Sequence, residues 1–159
     1  MPRSLGSNLP HPLVELLDGT GLPSREGVTF LLVTVGETGW PHVALLSVGE
    51  VLAVSPQELR LALWTSSRTT ANLTRTGQGS MALVHGGAAY RLQLAARRAG
   101  EIHVAGQSLA CFTADVVDVI EDAVGYAELV SGVTFRLREP GEVLARWAET
   151  IAKLRHLPA

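Results

Sequence analysis

The chain has 159 residues and a formal net charge of −2 at pH 7, with 47% hydrophobic and 18% charged residues. A chain of this length and composition can bury the core of one globular domain. The lack of a basic excess argues against nucleic-acid binding, because such domains usually cluster Lys and Arg and reach a pI above about 9. The first residues of the sequence lack the apolar core of a signal peptide. No stretch of apolar residues approaches the ~20 residues that span a membrane. We therefore expect a cytoplasmic protein without nucleic-acid or membrane partners.

Alternating apolar residues and turn residues predict a mainly β chain with a few helices. β-Branched and large apolar residues fill two runs separated by Gly36-Glu37-Thr38-Gly39, whose composition is typical of a hairpin turn. In chain order, the predicted elements are a helix over about residues 11–18, a loop over 24–27, strands over 28–35, 40–48, 50–54 and 59–64, a helix over about 67–75, and strands over 80–84, 90–99, 101–105 and 111–122. Gly100 is interpreted as a turn between two of these strands.

In the C-terminal segment the spacing of the apolar residues changes from alternation to a helical period. Val143, Leu144, Trp147, Ile151 and Leu154 recur at intervals of three and four residues, which predicts an amphipathic helix over about residues 140–155. Trp147 is interpreted as an anchor in the core or at a dimer contact rather than as a ring that stacks on a ligand. Residues 1–159 are thus expected to form a single domain, with a barrel over about 27–138 between the two terminal helices.

The segment from Leu63 to Leu73 carries the most specific chemistry of the chain. An apolar alternating run ends there in hydroxyls and an arginine that open a short helix. The free N–H groups of a first helical turn, the hydroxyls of Ser66 and Ser67 and the guanidinium of Arg68 together suit a phosphate ester. The alternative is an ordinary helix cap at Ser67, with Gly77 as the C-terminal stop.

Two motifs and their order carry a resemblance to a known family. The chain has Gly-x-Pro-His at 39–42 and Thr-Ser-Ser-Arg-x-x-x-Asn-Leu at 65–73. Over about residues 26–120 it resembles the FMN-binding split-barrel family of pyridoxamine 5′-phosphate oxidase-like proteins. The resemblance implies a Greek-key-like split barrel of six or seven antiparallel strands, forming a homodimer with FMN in a groove at the interface. It further implies that the flavin ring meets the backbone of Ala44, Leu45, Leu46 and Ser47, the ribityl chain meets Trp64, Thr65 and Ser66, the phosphate meets Ser67 and Arg68, and Asn72 fixes the helix.

Some positions depart from the family pattern. Many members carry a lysine where this chain has Thr69, and a basic residue is common on the strand that here holds residues 44–47. The resemblance implies an FMN-dependent oxidoreductase acting on a small molecule, with no catalytic residue assigned. The alternative is a non-catalytic module that carries or senses flavin or haem, or that has lost its cofactor, and Thr69 favours it. Sparse lysine argues against a third reading, a deazaflavin-dependent reductase.

The histidines do not predict a metal site. The five histidines show no close pair at metal-ligand spacing, and Cys111 is the single cysteine of the sequence. His42 opens the second predicted strand and is interpreted either as a half-exposed strand residue or as a residue at the edge of the flavin. Cys111 is expected to be a buried structural thiol.

Overall fold

The computed structural model describes residues 1–158, so Ala159, the last residue of the predicted domain, lies outside the described residues. The elements are β1 (Arg3–Ser4), α1 (His11–Leu16), a 3₁₀ turn (Leu22–Arg25), β2 (Phe30–Val35), β3 (Pro41–Leu46), β4 (Val51–Ser55), β5 (Glu58–Trp64), α2 (Arg68–Thr76), β6 (Gln78–His85), β7 (Ala88–Val104), β8 (Gln107–Asp122) and α3 (Pro140–Arg155). Among these described residues, no helix has both the length and the apolar character needed to cross a membrane.

One antiparallel sheet of eight strands forms the body of the molecule. Seven strands follow the order β3-β2-β6-β7-β8-β5-β4, and the short β1 pairs with β8 beside that path. β3 and β4 are consecutive in the chain but lie at opposite ends of the path, so each has an edge without a strand partner among residues 1–158. A curled sheet whose two end strands do not pair is a barrel left open along one seam. The predicted mainly β split barrel is confirmed, with β1 as an additional strand.

The long hairpins β6–β7 and β7–β8 form the centre of the sheet. Gly86 and Gly87 connect β6 to β7 with φ values of 59° and 80°. Positive φ at both central residues is the requirement of a two-residue type I′ turn, and glycine meets it without steric cost. β7 then pairs with β8 from Ala89 opposite Asp122 to Val104 opposite Gln107.

The predictions of a turn at Gly100 and of a loop over residues 24–27 were wrong. Gly100 is not a turn, since β7 runs on through it, and the register shift beside it makes Ala99 the extra residue of a bulge. A second bulge at Val117 brings Val119 into the core, although strict alternation places it on the face opposite Val116. The predicted loop over 24–27 instead contains the end of the 3₁₀ turn Leu22–Arg25.

Helix α3 covers part of the sheet with the apolar face that its periodicity predicts. Trp147, Ile151 and Leu154 are buried. The backbone of Gly49 lies flush against Trp147, because a Cβ added there would come within 2.0–2.5 Å of three indole carbons. The ring of Phe135 meets the same indole edge-on, with 6.3 Å between centroids and an interplanar angle of 86°. Trp147 is therefore an anchor of the core.

Candidate functional site

Helix α2 begins with a capped first turn that leaves two amides free of the helical ladder. The Ser67 hydroxyl accepts a hydrogen bond from the Thr70 N–H at 3.1 Å. The first i to i−4 bond runs from the Ala71 N–H to the Ser67 carbonyl at 3.2 Å. The N–H groups of Arg68 and Thr69 therefore precede that ladder. Ser67 acts as the N-cap, and the helix still presents amide donors and a positive dipole end beside Arg68.

A cleft of about 450 Å³ lies between the β2–β3 turn and one face of α2. We call it the α2 cleft; its lining residues are Gly36, Glu37, Thr38, Trp40, Pro41, His42, Arg68, Ala71, Asn72 and Arg75. Arg68 is exposed and takes part in none of the ion pairs of residues 1–158. With Arg75 and His42 on the same walls and Glu37 as the one carboxylate, the cleft favours an anion.

Asn72 fixes α2 against the sheet. Its side chain is buried and donates from Nδ2 to the Thr34 hydroxyl at 3.0 Å. Its Oδ1 accepts from Nη1 of Arg75 at 3.2 Å, and Arg75 also donates to the Val35 carbonyl. Thr34 lies opposite His42 in the β2–β3 register, so their side chains share one face of the hairpin. These bonds hold the α2 face that carries Arg68 and Arg75 beside His42.

Of the ten residues predicted to bind a cofactor, Arg68 and Asn72 line the α2 cleft, and the others lie elsewhere. Thr65 donates its hydroxyl to the Ser108 carbonyl at 2.8 Å. Ser47 donates both its N–H and its hydroxyl to Oε1 of Glu50, at 3.0 and 2.7 Å. Ser66 is exposed beyond the cap. The Trp64 side chain is 57% exposed and lines a second cleft, which lies beside α3.

The edge of β3 determines which predicted backbone groups are open. The Gly36 N–H donates to the Trp40 carbonyl at 2.9 Å, which sets the alternation of hydrogen-bonded pairs along the β2–β3 hairpin. Ala44 and Leu46 then direct their N–H groups toward β2, whereas Val43 and Leu45 direct theirs toward the open edge. Within residues 44–47, Leu45 is thus the residue whose N–H remains available at that edge.

Arg75 and Trp40 line the α2 cleft but were not among the predicted cofactor contacts. Arg75 follows Arg68 by seven positions, so helical periodicity alone places the two guanidiniums on one face. Trp40 is 77% exposed beside the turn, and its place in the cleft depends on how the hairpin packs against α2. The spacing of Arg75 from Arg68 could therefore have been found in the sequence, whereas no sequence pattern places Trp40 in the cleft.

Cys111 takes no part in either cleft. It is fully buried, and burial raises the pKa of its thiol to about 11. A thiol with that pKa is protonated at neutral pH and is a weak nucleophile. The prediction of a buried structural thiol is confirmed.

Comparison with known proteins gives a relative and several structures of similar fold. No family model matches the chain. Over 143 residues the chain is 41% identical to the uncharacterized protein YclD of Bacillus subtilis, which covers 90% of the chain and 93% of that protein. The chain belongs to the YclD family.

Solved structures extend the likeness at the level of the fold. A Lactobacillus delbrueckii protein named a "putative pyridoxamine 5′-phosphate oxidase" has a TM-score of 0.58 and 16% identity, over 74% of this chain and 98% of its own. A tagged variant of HupZ from Group A Streptococcus has a TM-score of 0.56 and 14% identity, over 72% and 99%. A heme binding protein of Mycobacterium smegmatis has a TM-score of 0.50 and 13% identity, over 91% and 61%. The predicted pyridoxamine 5′-phosphate oxidase-like split-barrel fold is confirmed for this YclD relative.

Proposed function

We propose that this protein binds FMN, with the phosphate in the α2 cleft. The observation that carries the proposal is the convergence of Arg68, Arg75 and His42 on one cleft, with Arg68 in the first turn of α2. A phosphate monoester carries about two negative charges and three acceptor oxygens. Arg68, which has no ion-pair partner in the described residues, supplies a planar pair of donors for it. The residues present therefore fit the phosphate end of the cofactor.

The open edge of β3 supports a place for the flavin ring. Val43 and Leu45 are 54% and 62% exposed, and they offer apolar side chains as well as open N–H groups. A planar, largely apolar ring with acceptor atoms at its rim is complementary to such an edge. We assign the ring contact to Leu45 among the predicted backbone residues, because Ser47 already donates to Glu50.

When bound, FMN supplies hydride and electron transfer, and the protein supplies orientation and electrostatics. Arg68 and the first turn of α2 would hold the phosphate, and the β3 edge would orient the ring. We propose an oxidoreductase that acts on a small molecule in the cytoplasm; no side chain is assigned a catalytic role.

A homodimer is part of this proposal. Val35, Val43, Leu45 and Val117 are each about half exposed, at 49%, 54%, 62% and 54%. In the β2–β3 register, Val35, Val43 and Leu45 share the face opposite the one that bears Thr34 and His42. A second copy of the chain on this face would cover apolar surface and shield a ring at the β3 edge from water. Light scattering after size exclusion measures the assembly directly.

The second candidate function is a non-catalytic binding module. Thr69 replaces a lysine common in the family, and its side chain is buried at 2% exposure, so position 69 contributes no charge to the α2 cleft. A heme binding protein is also among the proteins of similar fold. A carrier or sensor of flavin or haem needs the barrel and its groove but no reaction partner.

An absorbance spectrum of the purified protein separates these functions, repeated after FMN is added and the sample is desalted. Retained bands near ~375 and ~450 nm with oxidation of a nicotinamide donor support the enzyme. Retained bands without turnover support a flavin carrier, and an intense band near ~400 nm supports a haem protein. A colourless protein that retains neither cofactor overturns the FMN proposal.

A further inference from the structure

A second cleft lies where α3 packs beside the β3–β4 turn and the ends of β5, β7 and β8. We call it the α3 cleft; Glu50, Trp64, Arg146 and Trp147 are among the residues that line it. It shares no lining residue with the α2 cleft. Its volume is about 110 Å³. An apolar cavity of ~150 Å³ holds a molecule of the size of benzene, so this smaller space suits roughly four or five non-hydrogen atoms, about the core of an α-amino acid without its side chain.

Glu50 presents one fixed and one open carboxylate oxygen at this cleft. Oε1 accepts from both the N–H and the hydroxyl of Ser47, at 3.0 and 2.7 Å. Oε2 accepts no hydrogen bond from the described residues. Burial raises the pKa of Glu50, and the two Ser47 bonds and the Arg146 charge lower it, with burial the largest effect. Glu50 is half-buried, and Oε2 stays accessible without a donor, so a ligand donor can form a charge-assisted hydrogen bond with it.

Arg146 supplies the opposite charge on the wall formed by α3. Its side chain is exposed and is in none of the ion pairs of residues 1–158, and it forms none with Glu50. Two opposite charges therefore line one small space without a direct ion pair between them, although the Arg146 charge acts on the Glu50 carboxylate from a distance. A molecule that carries both an ammonium and a carboxylate group satisfies both at once.

The rest of the cleft offers a rigid apolar wall. Trp147 is held against the Gly49 backbone and is 8% exposed, so its position is fixed by packing. Trp64 is 57% exposed and forms the open side. An aliphatic group of a ligand that contacts the Trp64 indole removes apolar surface of both the ligand and the protein from water.

We propose that the α3 cleft binds a small aliphatic α-amino acid as its zwitterion. The ammonium group donates to Oε2 of Glu50, the carboxylate accepts from Arg146, and the side chain packs against Trp64. This site goes beyond the proposed function and requires no FMN.

The first experiment titrates the purified protein with L-valine, L-valinamide and isovalerate, following tryptophan fluorescence and heat release. L-Valine carries both charges, and each of the other two probes lacks one of them. We expect saturable binding of L-valine, and affinity weaker by about tenfold or more for each of the others. Trp64→Phe should lose most of the fluorescence change while heat release still reports binding. Equal affinity for all three probes, or no saturable signal for L-valine, glycine and L-proline, overturns the proposal.

Charge-neutral variants assign each contact. Glu50→Gln and Arg146→Gln should each weaken L-valine by about tenfold or more, whereas the exposed controls Glu142→Gln and Arg138→Gln should match the wild type. Glu50→Gln should bind isovalerate at least as well as the wild type does, since that probe has no ammonium group and a like charge is removed. Arg146→Gln should likewise bind valinamide at least as well as the wild type. If the variants fold by circular dichroism and bind L-valine with wild-type affinity, the site is wrong.

Discussion

Helices α2 and α3 are held to the same sheet by different interactions. The buried residues of α2 are Thr69, Thr70, Asn72 and Leu73, of which three are polar. Thr70 donates to the Trp64 carbonyl at 2.7 Å, and Asn72 donates to Thr34 at 3.0 Å. Directional bonds of this kind fix orientation but contribute modest net stability.

Helix α3 instead buries large apolar groups. Trp147, Ile151 and Leu154 lie in the core, and Thr150 is the one polar residue among the buried positions of this helix. Burial of such side chains stabilises a fold by roughly 1.5–3 kcal/mol each. The comparison indicates that α3 supports the stability of the barrel, whereas α2 positions charged groups at a cleft. Variants of the two helices should therefore separate effects on folding from effects on binding.

The largest expected effect is on stability, from Trp147→Ala. The indole fills the space between Gly49 and Phe135, so its loss should lower the free energy of unfolding by about 3–5 kcal/mol. Denaturant unfolding measures this change, and Ala148→Gly on the exposed side of α3 serves as the control. Gly49→Ala should also destabilise, and its cost should shrink in the Trp147→Ala background because the clash is then gone. If the stability costs of Gly49→Ala and Trp147→Ala simply add in the double variant, the close packing of Trp147 on the Gly49 backbone is contradicted.

Arg68→Ala should give the next largest effect, on binding alone. Loss of a charge-assisted contact to phosphate should weaken FMN by about 1.5–3 kcal/mol, or roughly 10- to 150-fold. Arg68 is exposed and forms no ion pair in the described chain, so the melting temperature of the apoprotein should not change. Fluorescence titration with FMN measures the affinity, with Arg138→Ala as the matched control. Unchanged FMN affinity would contradict the proposal that the α2 cleft binds the FMN phosphate.

Ser67→Ala tests how much the cap contributes to α2. Removing the hydroxyl that accepts from Thr70 should lower stability by about 1 kcal/mol, a shift of roughly 2–4 °C in Tm. Ser66→Ala, one residue earlier and outside the cap, is the control. A Tm loss as large as that of Trp147→Ala would show that α2 carries as much of the stability as α3.

The sequence predicted α3 and most strands because large apolar residues recur with the period of the element they form. The bulges at Ala99 and Val117 were not predictable, since a register slip depends on the facing strand. Gly100 illustrates this: the same residue type serves turns and bulges, and the pairing of β7 with β8 decides between them.

The residues of the two clefts also differ in how far the sequence predicts them. Arg68 follows a local capping motif and was predicted from the sequence. The seven-residue spacing between Arg68 and Arg75 would also have predicted that both lie on one face of α2. Glu50, Gln107 and Arg146 lie in separate elements that meet through the sheet, so no local pattern brings them together. The Ser47 N–H was predicted as a flavin contact, but the side chain of Glu50, three residues on, occupies it.

The smallest expected effect is the pH dependence that Glu50 imparts to stability. Burial raises the pKa of Glu50 above its ordinary value of 4.5 in the folded chain. The folded state then binds a proton at higher pH than the unfolded state, so ionisation of Glu50 costs stability as pH rises through the folded pKa. Glu50→Gln keeps an oxygen that accepts from Ser47 and removes that cost. The variant should be at least as stable as the wild type at pH 7, and its advantage should shrink as pH falls toward 4.5. Thermal unfolding across this range measures the difference, with Glu142→Gln as the control. A difference that grows in acid would mean that the Ser47 hydrogen bonds and the Arg146 charge, rather than burial, dominate the pKa of Glu50.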